Sequence, residues 1–333
     1  SYKIEEGSPC FIIAEAGVNH NGDVSRAKKM IDEAKKIGAD AIKFQTFKTE
    51  NLVTVGAKKA NYQKKNSEED NQFVMLKKLE LSERDFKELF VYAHEKDIVF
   101  LSTPFDIQSA DFLHQLGVDA YKIGSGDLTD IPLLRHIAAW GKTMILSTGM
   151  STLNEIEESL KVITQAGPQD IILLHCTSSY PVDTKEVNLR MIPRLKEKYG
   201  HLVGFSDHTV STVIPASAIA LGAVVVEKHF TLDRNLPGPD HKMSLEPHEF
   251  EEMVKNIRHV EEALGDGVKS ITKNESHIRE GARKSIVAAT DIPNGTLITS
   301  EMLGVKRPGT GLAPKYINDL IGLKSRRDIG KDD

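Results

Sequence analysis

The chain has 333 residues, 40% of them hydrophobic and 27% charged, so it is long enough for two domains and apolar enough to fold around a full core. Its 43 basic and 48 acidic residues nearly balance, which excludes a general electrostatic attraction to nucleic acid or to an anionic membrane. The N-terminal residues show no basic segment leading into an apolar one, and no apolar stretch is long enough to cross a bilayer, so we expect neither a signal peptide nor a membrane span.

Short β-branched runs alternate with longer amphipathic segments along most of the chain. The predicted strands are 11–17, 41–46, 98–104, 120–125, 143–148, 170–176, 202–208 and 224–230. Helix patterns include 24–37, 82–96, 106–116, 153–166, 211–221 and 247–265, and several of them end at a glycine, as helices often do. Eight strand–helix units over about 250 residues predict an α/β fold of the (β/α)8 TIM-barrel type. The alternative, a doubly wound sheet, is disfavoured because no G-x-G-x-x-G follows the first strand.

The connection at 47–81, between the second strand and its helix, is unusually long. It contains the lysine-rich run "KKANYQKKN" and a predicted short helix around 69–79. Long connections in compact domains are usually functional, so we expect a lid over a site here, with the lysines themselves forming a solvated face.

The character of the chain changes after residue 265. Residues 1–265 are predicted to form the barrel, and the polar stretch 266–283 is predicted to be a linker. Residues 284–333 contain short strands and a P-N-G turn, which predicts a small, mostly-β domain. A domain of about fifty residues is marginally stable alone, so we expect it to dock onto another surface.

Every predicted barrel strand ends in polar or ionisable residues, at the rim where TIM barrels carry their active sites. These residues are Glu15, Lys43, Gln45, Thr103, Lys122, Ser125, Ser147, Thr148, His175, Thr177, Ser206, His208, Glu227 and His229. Residues i and i+2 of a strand share a face, and on this basis three pairs point together: Lys43 with Gln45, Ser206 with His208, and Glu227 with His229. We therefore expect these side chains to converge on the mouth of the barrel.

The two lysines in this set predict an anion site. An ammonium group inside a strand is costly to desolvate unless an anion or a carboxylate compensates its charge. Lys43 and Lys122, together with the hydroxyls of Thr103, Ser125 and Ser147, form a group suited to phosphate and carboxylate oxygens.

The two histidines predict a divalent metal. His208 and His229 lie at the ends of neighbouring strands, where two neutral imidazoles can share one ion and leave its other positions to water and substrate. With two protein ligands the ion would be exchangeable Mn²⁺ or Mg²⁺ rather than structural zinc. Glu15 and Glu227 are the candidate general bases.

The two cysteines, Cys10 and Cys176, lack a metal-binding spacing. We expect free thiols in a reducing cytoplasm. Because Cys176 follows an apolar run, it is predicted to be a core residue rather than a nucleophile.

At this point the sequence resembles a known family. The motifs "AEAGVNHNGD", "IKFQTFK", "LSTPFD", "YKIGSGD", "LSTGM", "LHCTSSYP", "GFSDHT", "EKHFTLD" and "GPDHKMSLEP", in this order, are similar to those of the sialic acid (N-acetylneuraminate) synthases. The tail "SIVAATDIPNGTLITSEMLGVKRPGTG" resembles the antifreeze-like (SAF) domain of the same family. The similarity extends from about residue 11 to 325, and the legionaminate and pseudaminate synthases share these motifs.

The resemblance implies a reaction and a role for each matching residue. Phosphoenolpyruvate would condense with the open-chain aldehyde of an N-acyl hexosamine, N-acetylmannosamine in the first place, to give a nine-carbon 2-keto sugar acid and phosphate. Lys43, Thr103, Lys122, Ser125, Ser147 and Ser206 would hold phosphoenolpyruvate, His208 and His229 the metal, and Gln45, Phe105, Tyr180 and Asp240 the sugar. Glu15 would assist proton transfer as water attacks C2, and Arg307 would reach the sugar pocket of the partner in a domain-swapped homodimer.

Two other functions are open on the sequence. A pyruvate aldolase would form a Schiff base on Lys122 or Lys43 and would release no phosphate. A carbohydrate- or ice-binding protein could use the antifreeze-like tail, but it has no need for a polar barrel mouth. Lys306 and Arg307 also lie where an ice-binding surface would be flat and apolar.

Overall fold

Eight parallel strands form the central sheet in the computed structural model, which describes residues 3–66, 69 and 71–333. The strands are β1 (Phe11–Gly17), β2 (Ala41–Thr46), β3 (Val99–Pro104), β4 (Ala120–Ile123), β5 (Thr143–Ser147), β6 (Ile171–Cys176), β7 (Leu202–Asp207) and β8 (Val225–His229). Each strand boundary lies within two residues of the one predicted from the apolar runs.

Helices follow the strands along the chain. They are α1 (Val24–Lys36), α2 (Thr49–Leu52), α3 (Asn61–Asn66), α4 (Gln72–Leu79), α5 (Glu83–Glu95), α6 (Ile107–Leu116), α7 (Ile131–Ala138), α8 (Leu153–Ala166), α9 (Met191–Tyr199), α10 (Ile214–Ala220) and α11 (Pro247–Leu264). Helices α2, α3, α7 and α9 have no counterpart among the predicted helices. Side-chain caps explain several starts: Asp23 caps α1, Asp106 caps α6, and Thr152 forms a capping box with Glu155 at α8.

The strand order closes the sheet into a barrel. It runs β3-β2-β1-β8-β7-β6-β5-β4, so β1 pairs in parallel with both β2 and β8. Strands β3 and β4 lie side by side, although no ladder of backbone hydrogen bonds joins them in the part of the chain described. A doubly wound sheet would not pair its first strand with its last, as β1 and β8 pair here, so the predicted (β/α)8 fold is confirmed.

Alternating side chains divide the apolar residues into two layers. One layer fills the inside of the barrel and consists of Phe11, Ile13, Ala41, Leu101, Ala120, Ile145, Ile172, Leu174 and Val225. The residues of opposite parity, such as Ile12, Phe44 and Phe205, pack under the surrounding helices. The inner apolar layer fills the lower barrel, which leaves the inward positions at the C-terminal ends of the strands to polar residues.

The long connection between β2 and α5 carries three short helices, α2, α3 and α4. Met75, Leu76 and Leu79 of α4 pack against Val18 and Phe47, which anchors the segment on the barrel rim. The helix predicted around 69–79 corresponds to α4, and residue 70 lies outside the described residues.

The chain divides into two units between Gly265 and Asp266. The second unit contains α12 (Lys273–Ala282), within the predicted linker 266–283, and α13 (Ile317–Leu320). Its strands β9 (Ser285–Ala288) and β10 (Leu303–Lys306) are antiparallel, and Ala288, Ile292 and Ile298 form a small core. Thr296 donates a backbone hydrogen bond to Pro293, which closes the predicted P-N-G turn. The small mostly-β domain is thus confirmed.

Among the described residues, no helix combines the length and the apolar composition needed to cross a bilayer.

Candidate active site

A cavity of about 630 Å³ opens at the C-terminal ends of the barrel strands. Fourteen predicted site residues line it: Glu15, Lys43, Gln45, Thr103, Phe105, Lys122, Ser125, Ser147, Tyr180, Ser206, His208, Glu227, His229 and Asp240. Arg307 belongs to the second unit, where it follows β10 and is exposed. The convergence predicted from strand parity is therefore present in the barrel.

Strand register explains why the charged residues meet. Glu15 of β1 is aligned with Lys43 on one side and with His229 on the other. Glu227 of β8 is aligned with Ser206 of β7. Because paired residues in parallel strands point the same way, all five side chains enter the barrel at neighbouring levels.

Lys43 is held between two carboxylates. Its Nζ lies 2.7 Å from Oε2 of Glu15 and 3.7 Å from Oε2 of Glu227, and it donates a 3.1 Å hydrogen bond to Oγ1 of Thr103. The Lys43 and Glu15 side chains are each only 3% exposed. Burial lowers the pKa of Lys43, but the two carboxylates outweigh it and hold that pKa above its usual value. Lys43 is therefore a fixed cation.

Lys122 is less well compensated. Its Nζ donates to Oγ of Ser147 at 2.7 Å and to the Ile123 carbonyl at 3.2 Å, and it lies 3.6 Å from Oε1 of Glu227. Burial lowers its pKa below the usual value, and the attraction of Glu227 only partly opposes this shift. An arriving anion would supply the compensation that Lys122 lacks.

The pKa values of the two carboxylates, Glu15 and Glu227, are shifted in opposite directions. Burial raises the pKa of Glu15, with Lys43 opposing and Glu227 reinforcing the shift. For Glu227 burial acts in the same direction, but Lys122 and Lys43 outweigh it and lower the pKa; Ser206 also donates to Oε1 at 3.1 Å. Glu227 thus stays ionised between the lysines, while Glu15 is the carboxylate better able to take up a proton.

The histidine pair lies beside this cluster, with ring centroids of His208 and His229 separated by 5.6 Å. Nδ1 of His208 contacts the Thr177 carbonyl at 2.8 Å, so Nε2 is the ring nitrogen that could act as a metal ligand. Nδ1 of His229 is buried without a hydrogen-bond partner in the described structure. Burial lowers the pKa of both rings, so both are neutral imidazoles near pH 7.

These two nitrogens fit a metal held by few protein ligands. No group of three or more His, Cys, Asp or Glu residues suited to a metal occurs in residues 3–66, 69 and 71–333. Neutral imidazoles are nevertheless good ligands for divalent ions, and a buried nitrogen without a partner is costly. Two imidazoles could hold an exchangeable divalent ion, and they are too few for a structural zinc site.

The four barrel residues predicted to contact a sugar also line the cavity. Nε2 of Gln45 donates to Oε1 of Glu15 at 3.1 Å, and Phe105 packs edge-on against Phe47. The Tyr180 ring lies 4.3 Å from the His208 ring, centroid to centroid. Asp240 is buried, and burial together with Glu15 raises its pKa to about 7.

A hydrogen-bond clamp that the sequence analysis missed fixes the loop carrying Asp240. Nδ2 of Asn19 donates to the Phe230 carbonyl and to Oγ of Ser244, both at 2.9 Å. Oγ of Ser244 in turn donates to the Asp240 carbonyl at 2.7 Å. His241 lies in the same clamp, 2.7 Å from Oγ1 of Thr231. The polar run "NHNGD" (19–23), shortly after β1, was the feature of the sequence that could have indicated this clamp.

Some strand-end residues do not belong to the cavity. His175 bonds to the Val187 carbonyl at 2.7 Å and stacks on Phe205, on the helix-facing side of β6. Oγ1 of Thr148 donates to the Leu174 carbonyl at 3.0 Å. Oγ1 of Thr177 donates to the Glu186 carbonyl at 3.2 Å. The expectation that all strand-end residues converge was wrong for these three, because each has the parity of the outer layer.

Further cavity residues come from the connection that was predicted to form a lid. Gln63, Gln72, Met75 and Leu76 come from the long β2–α5 connection, which lies against the cavity as a lid would. Cys176 is buried as expected; its Sγ lies 3.1 Å from Oγ of Ser125, and burial raises the pKa of the thiol.

Comparison with protein families settles the relationship. The model of the NeuB family matches residues 30–269, and that of the SAF domain matches residues 283–333. The chain belongs to the NeuB family. The resemblance drawn from the motifs is confirmed, and this NeuB-family chain is an enzyme of the synthase type.

Relatives of the NeuB-family chain are similar over nearly the whole length. N,N'-diacetyllegionaminic acid synthase of Campylobacter jejuni is 46% identical over 97% of this chain and 98% of its own. Human N-acetylneuraminate-9-phosphate synthase is 38% identical over 98% of this chain and 91% of its own. The crystal structure of N-acetylneuraminic acid synthetase from Leptospira borgpetersenii with citrate is 37% identical and superposes with a TM-score of 0.72, covering 82% of this chain and 90% of that one.

Proposed function

We propose that the enzyme condenses phosphoenolpyruvate with the open-chain aldehyde of an N-acylated amino sugar, with water as the third reactant. The products would be a nine-carbon 2-keto sugar acid and inorganic phosphate. The observation that carries this proposal is the convergence of Lys43, Lys122, His208 and His229 on one cavity. The named synthases among the relatives support the same class of reaction.

In this proposal the lysines bind phosphoenolpyruvate without reacting with it. Lys43 and Lys122 would pair with its phosphate and carboxylate oxygens, and Thr103 and Ser147, which now bond to the lysines, would complete the contacts. Ser125 and Ser206 line the same part of the cavity. A protonated lysine is a poor nucleophile, so the raised pKa of Lys43 argues against a Schiff base there.

His208 and His229 would hold Mn²⁺ or Mg²⁺. When bound, such an ion supplies Lewis-acid polarisation of the aldehyde oxygen. The two imidazoles are neutral and therefore available as ligands near pH 7.

The proton transfer falls to Glu15. C3 of phosphoenolpyruvate would attack the aldehyde carbon, and the cationic C2 would accept a water oxygen. The Glu15 carboxylate, whose pKa is raised by burial, would take the proton from that water. Glu15 would return this proton to the former aldehyde oxygen, which becomes a hydroxyl. The new C2 hydroxyl would pass its proton to a phosphate oxygen as the C2–O bond to phosphate breaks, which leaves the C2 ketone and inorganic phosphate. Glu227 would remain ionised and hold both lysines in place.

Gln45, Phe105, Tyr180 and Asp240 would contact the sugar. N-acetylmannosamine is one candidate and leads to N-acetylneuraminate. A 2,4-diacetamido-2,4,6-trideoxymannose, which leads to legionaminate, is the second candidate. It is favoured by the 46% identity to the legionaminic acid synthase against 38% to the neuraminate-9-phosphate synthase.

We also propose that Arg307 reaches the sugar pocket of the partner in a domain-swapped homodimer. Replacing Arg307 with Ala should abolish turnover while leaving phosphoenolpyruvate binding intact, and unchanged turnover would exclude the swapped arginine.

The domain organisation in this proposal is 1–265 for the catalytic barrel, 266–283 for the linker and 284–333 for the SAF domain. A reducing cytoplasm is the proposed compartment, supported by two buried free thiols, Cys10 and Cys176.

Phosphate release tests the reaction. The protein is incubated with phosphoenolpyruvate, Mn²⁺ and either N-acetylmannosamine or the diacetamido sugar, and phosphate and the 2-keto acid product are both quantified. Equal amounts of both, with one sugar preferred, support the proposal and decide between the substrates. Borohydride trapping of pyruvate on a lysine without phosphate release would instead establish the aldolase.

A further inference from the structure

Two buried residues of opposite charge lie between the proposed site residues on β7 and β8. Asp207 separates Ser206 from His208, and Lys228 separates Glu227 from His229. The two are register partners, and both side chains are fully buried. Nζ of Lys228 lies 2.5 Å from Oδ2 of Asp207. By parity both point away from the cavity, so neither can touch a substrate bound there.

The pair also fixes the backbone that follows β7. Lys228 Nζ donates to the carbonyl of Thr209 at 2.5 Å and to that of Ser211 at 3.3 Å. Asp207 accepts from the Thr209 amide at 2.8 Å and from the Thr209 hydroxyl at 2.9 Å. His208 therefore lies between a strand residue and a loop residue that are both tied to one ammonium group.

The pair lies at the end of the β7–β8 ladder, next to both histidines. The ladder pairs Phe205 with Val226, Ser206 with Glu227 and Asp207 with Lys228, and it stops there. Beyond this point β8 continues to His229, which is paired with Glu15 of β1, while after β7 the carbonyl of His208 accepts a hydrogen bond from the Val182 amide. The ion pair is thus the last link between the two strands that carry the imidazoles.

We propose that the Asp207–Lys228 pair positions His208 and His229 for metal binding, an inference that rests on the metal site of the proposed function. Replacing a buried ion pair with apolar residues of similar volume is often neutral for stability. The pair is therefore poorly explained as a stabilising element alone. The specific consequence of losing it is a change in the separation and direction of the two rings.

The test uses the full chain and Mn²⁺ without substrates. The double variant Asp207→Leu/Lys228→Met replaces both charges at once and leaves no unpaired ion. Free Mn²⁺ is measured by electron paramagnetic resonance, the fold by thermal unfolding, and the 208–211 backbone by hydrogen exchange. A matched control, Arg258→Met/Glu261→Leu, removes a partly buried ion pair that lies beside Cys10, at the opposite end of β1 from the cavity.

We expect the Asp207/Lys228 variant to fold, to exchange the Thr209 and Ser211 amides faster, and to bind Mn²⁺ at least tenfold more weakly, as is typical when groups supporting metal ligands are lost. The control should bind Mn²⁺ like the wild type. Mn²⁺ affinity within twofold of the wild type in the Asp207/Lys228 variant would overturn the inference. If that variant does not fold, Asp207→Asn replaces it, because this change keeps the size of the side chain and removes the charge that faces Lys228. Unchanged Mn²⁺ affinity in Asp207→Asn would also overturn the inference.

Failure of the metal site itself is distinguishable. If His208→Ala and His229→Ala bind Mn²⁺ as tightly as the wild type, or if the wild type binds none, the proposed metal site is wrong and this inference falls with it. If both alanine variants lose Mn²⁺ and the ion-pair variant does not, only the positioning role is wrong.

Discussion

Lys43 and Lys122 look equivalent as anion-binding groups, but the structure predicts that removing Lys43 destabilises the protein and that removing Lys122 hardly changes its stability. Lys43 has carboxylate oxygens at 2.7 and 3.7 Å, whereas the carboxylate within reach of Lys122 is at 3.6 Å. With an effective dielectric constant near 20, these distances correspond to attractions of about 6, 4.5 and 4.6 kcal/mol before desolvation is subtracted. The desolvation of an ammonium costs several kcal/mol at either site.

The pKa shifts indicate whether the attraction of the carboxylates or the cost of desolvation is larger at each lysine. The pKa of Lys43 is raised, so its charge favours folding at every pH below the usual lysine value. The pKa of Lys122 is lowered by burial, so its charge opposes folding over the same range. Lys43→Met would leave Glu15 and Glu227 buried together, and breaking a buried pair in this way costs about 3 kcal/mol. In Lys122→Met, Glu227 keeps Lys43 and Ser206, and we expect a change within about 1 kcal/mol of zero.

Thermal unfolding of the substrate-free, metal-free protein at pH 7 measures the difference. A loss of about 3 kcal/mol corresponds to a fall in the Tm of the barrel transition of roughly 6–12 °C for Lys43→Met. Lys122→Met should unfold near the wild-type temperature. Both variants should bind phosphoenolpyruvate at least tenfold more weakly by calorimetry, since each loses a charge-assisted contact worth about 1.5–3 kcal/mol. Equal Tm values for the two variants would refute the assigned charge arrangement.

Three further predictions follow from the barrel. Asp240 has a pKa of about 7 in the folded state, so the folded protein binds the extra proton and loses stability as pH rises from about 4 to 7; Asp240→Asn should remove this slope in denaturant titrations, and parallel pH profiles would contradict the raised pKa. Gly204→Ala would place a methyl group 2.5 Å from the Val225 carbonyl oxygen, so unfolding should be easier by about 1–3 kcal/mol, while Gly56→Ala, with no atom within 4 Å, should match the wild type; equal stability of the two variants would show that the strands can separate. Removing divalent ions with EDTA should abolish turnover and Mn²⁺ should restore it, whereas full turnover without metal would exclude the two-histidine site.

The strands and the cavity residues at the strand ends were predictable because two simple rules generate them. A buried strand alternates its faces, and a barrel collects strand ends at one rim, so Lys43 and Gln45, or Glu227 and His229, had to share the cavity once the fold was right. The same rule failed for His175, since polarity alone does not reveal on which face a strand-end residue lies.

The lid was expected from the length of the 47–81 connection, but the lid residues that reach the cavity and the partners of the clamp could not be predicted, for a physical reason. Met75 and Leu76 reach the cavity because α4 folds back over the rim, and no local period in the sequence encodes that return. Asn19 was visible as a polar residue after β1, but its partners, Phe230 and Ser244, are more than 200 residues away in the chain. Contacts of this kind depend on closure of the barrel between β1 and β8.

The most direct test of the account is a crystal structure of the protein with phosphoenolpyruvate and Mn²⁺. The account predicts phosphoenolpyruvate oxygens within hydrogen-bond distance of Nζ of both Lys43 and Lys122, with the metal ion bound by His208 and His229 in the same cavity. A covalent adduct on either lysine, or a metal ion held elsewhere while the two imidazoles stay unligated, would contradict it.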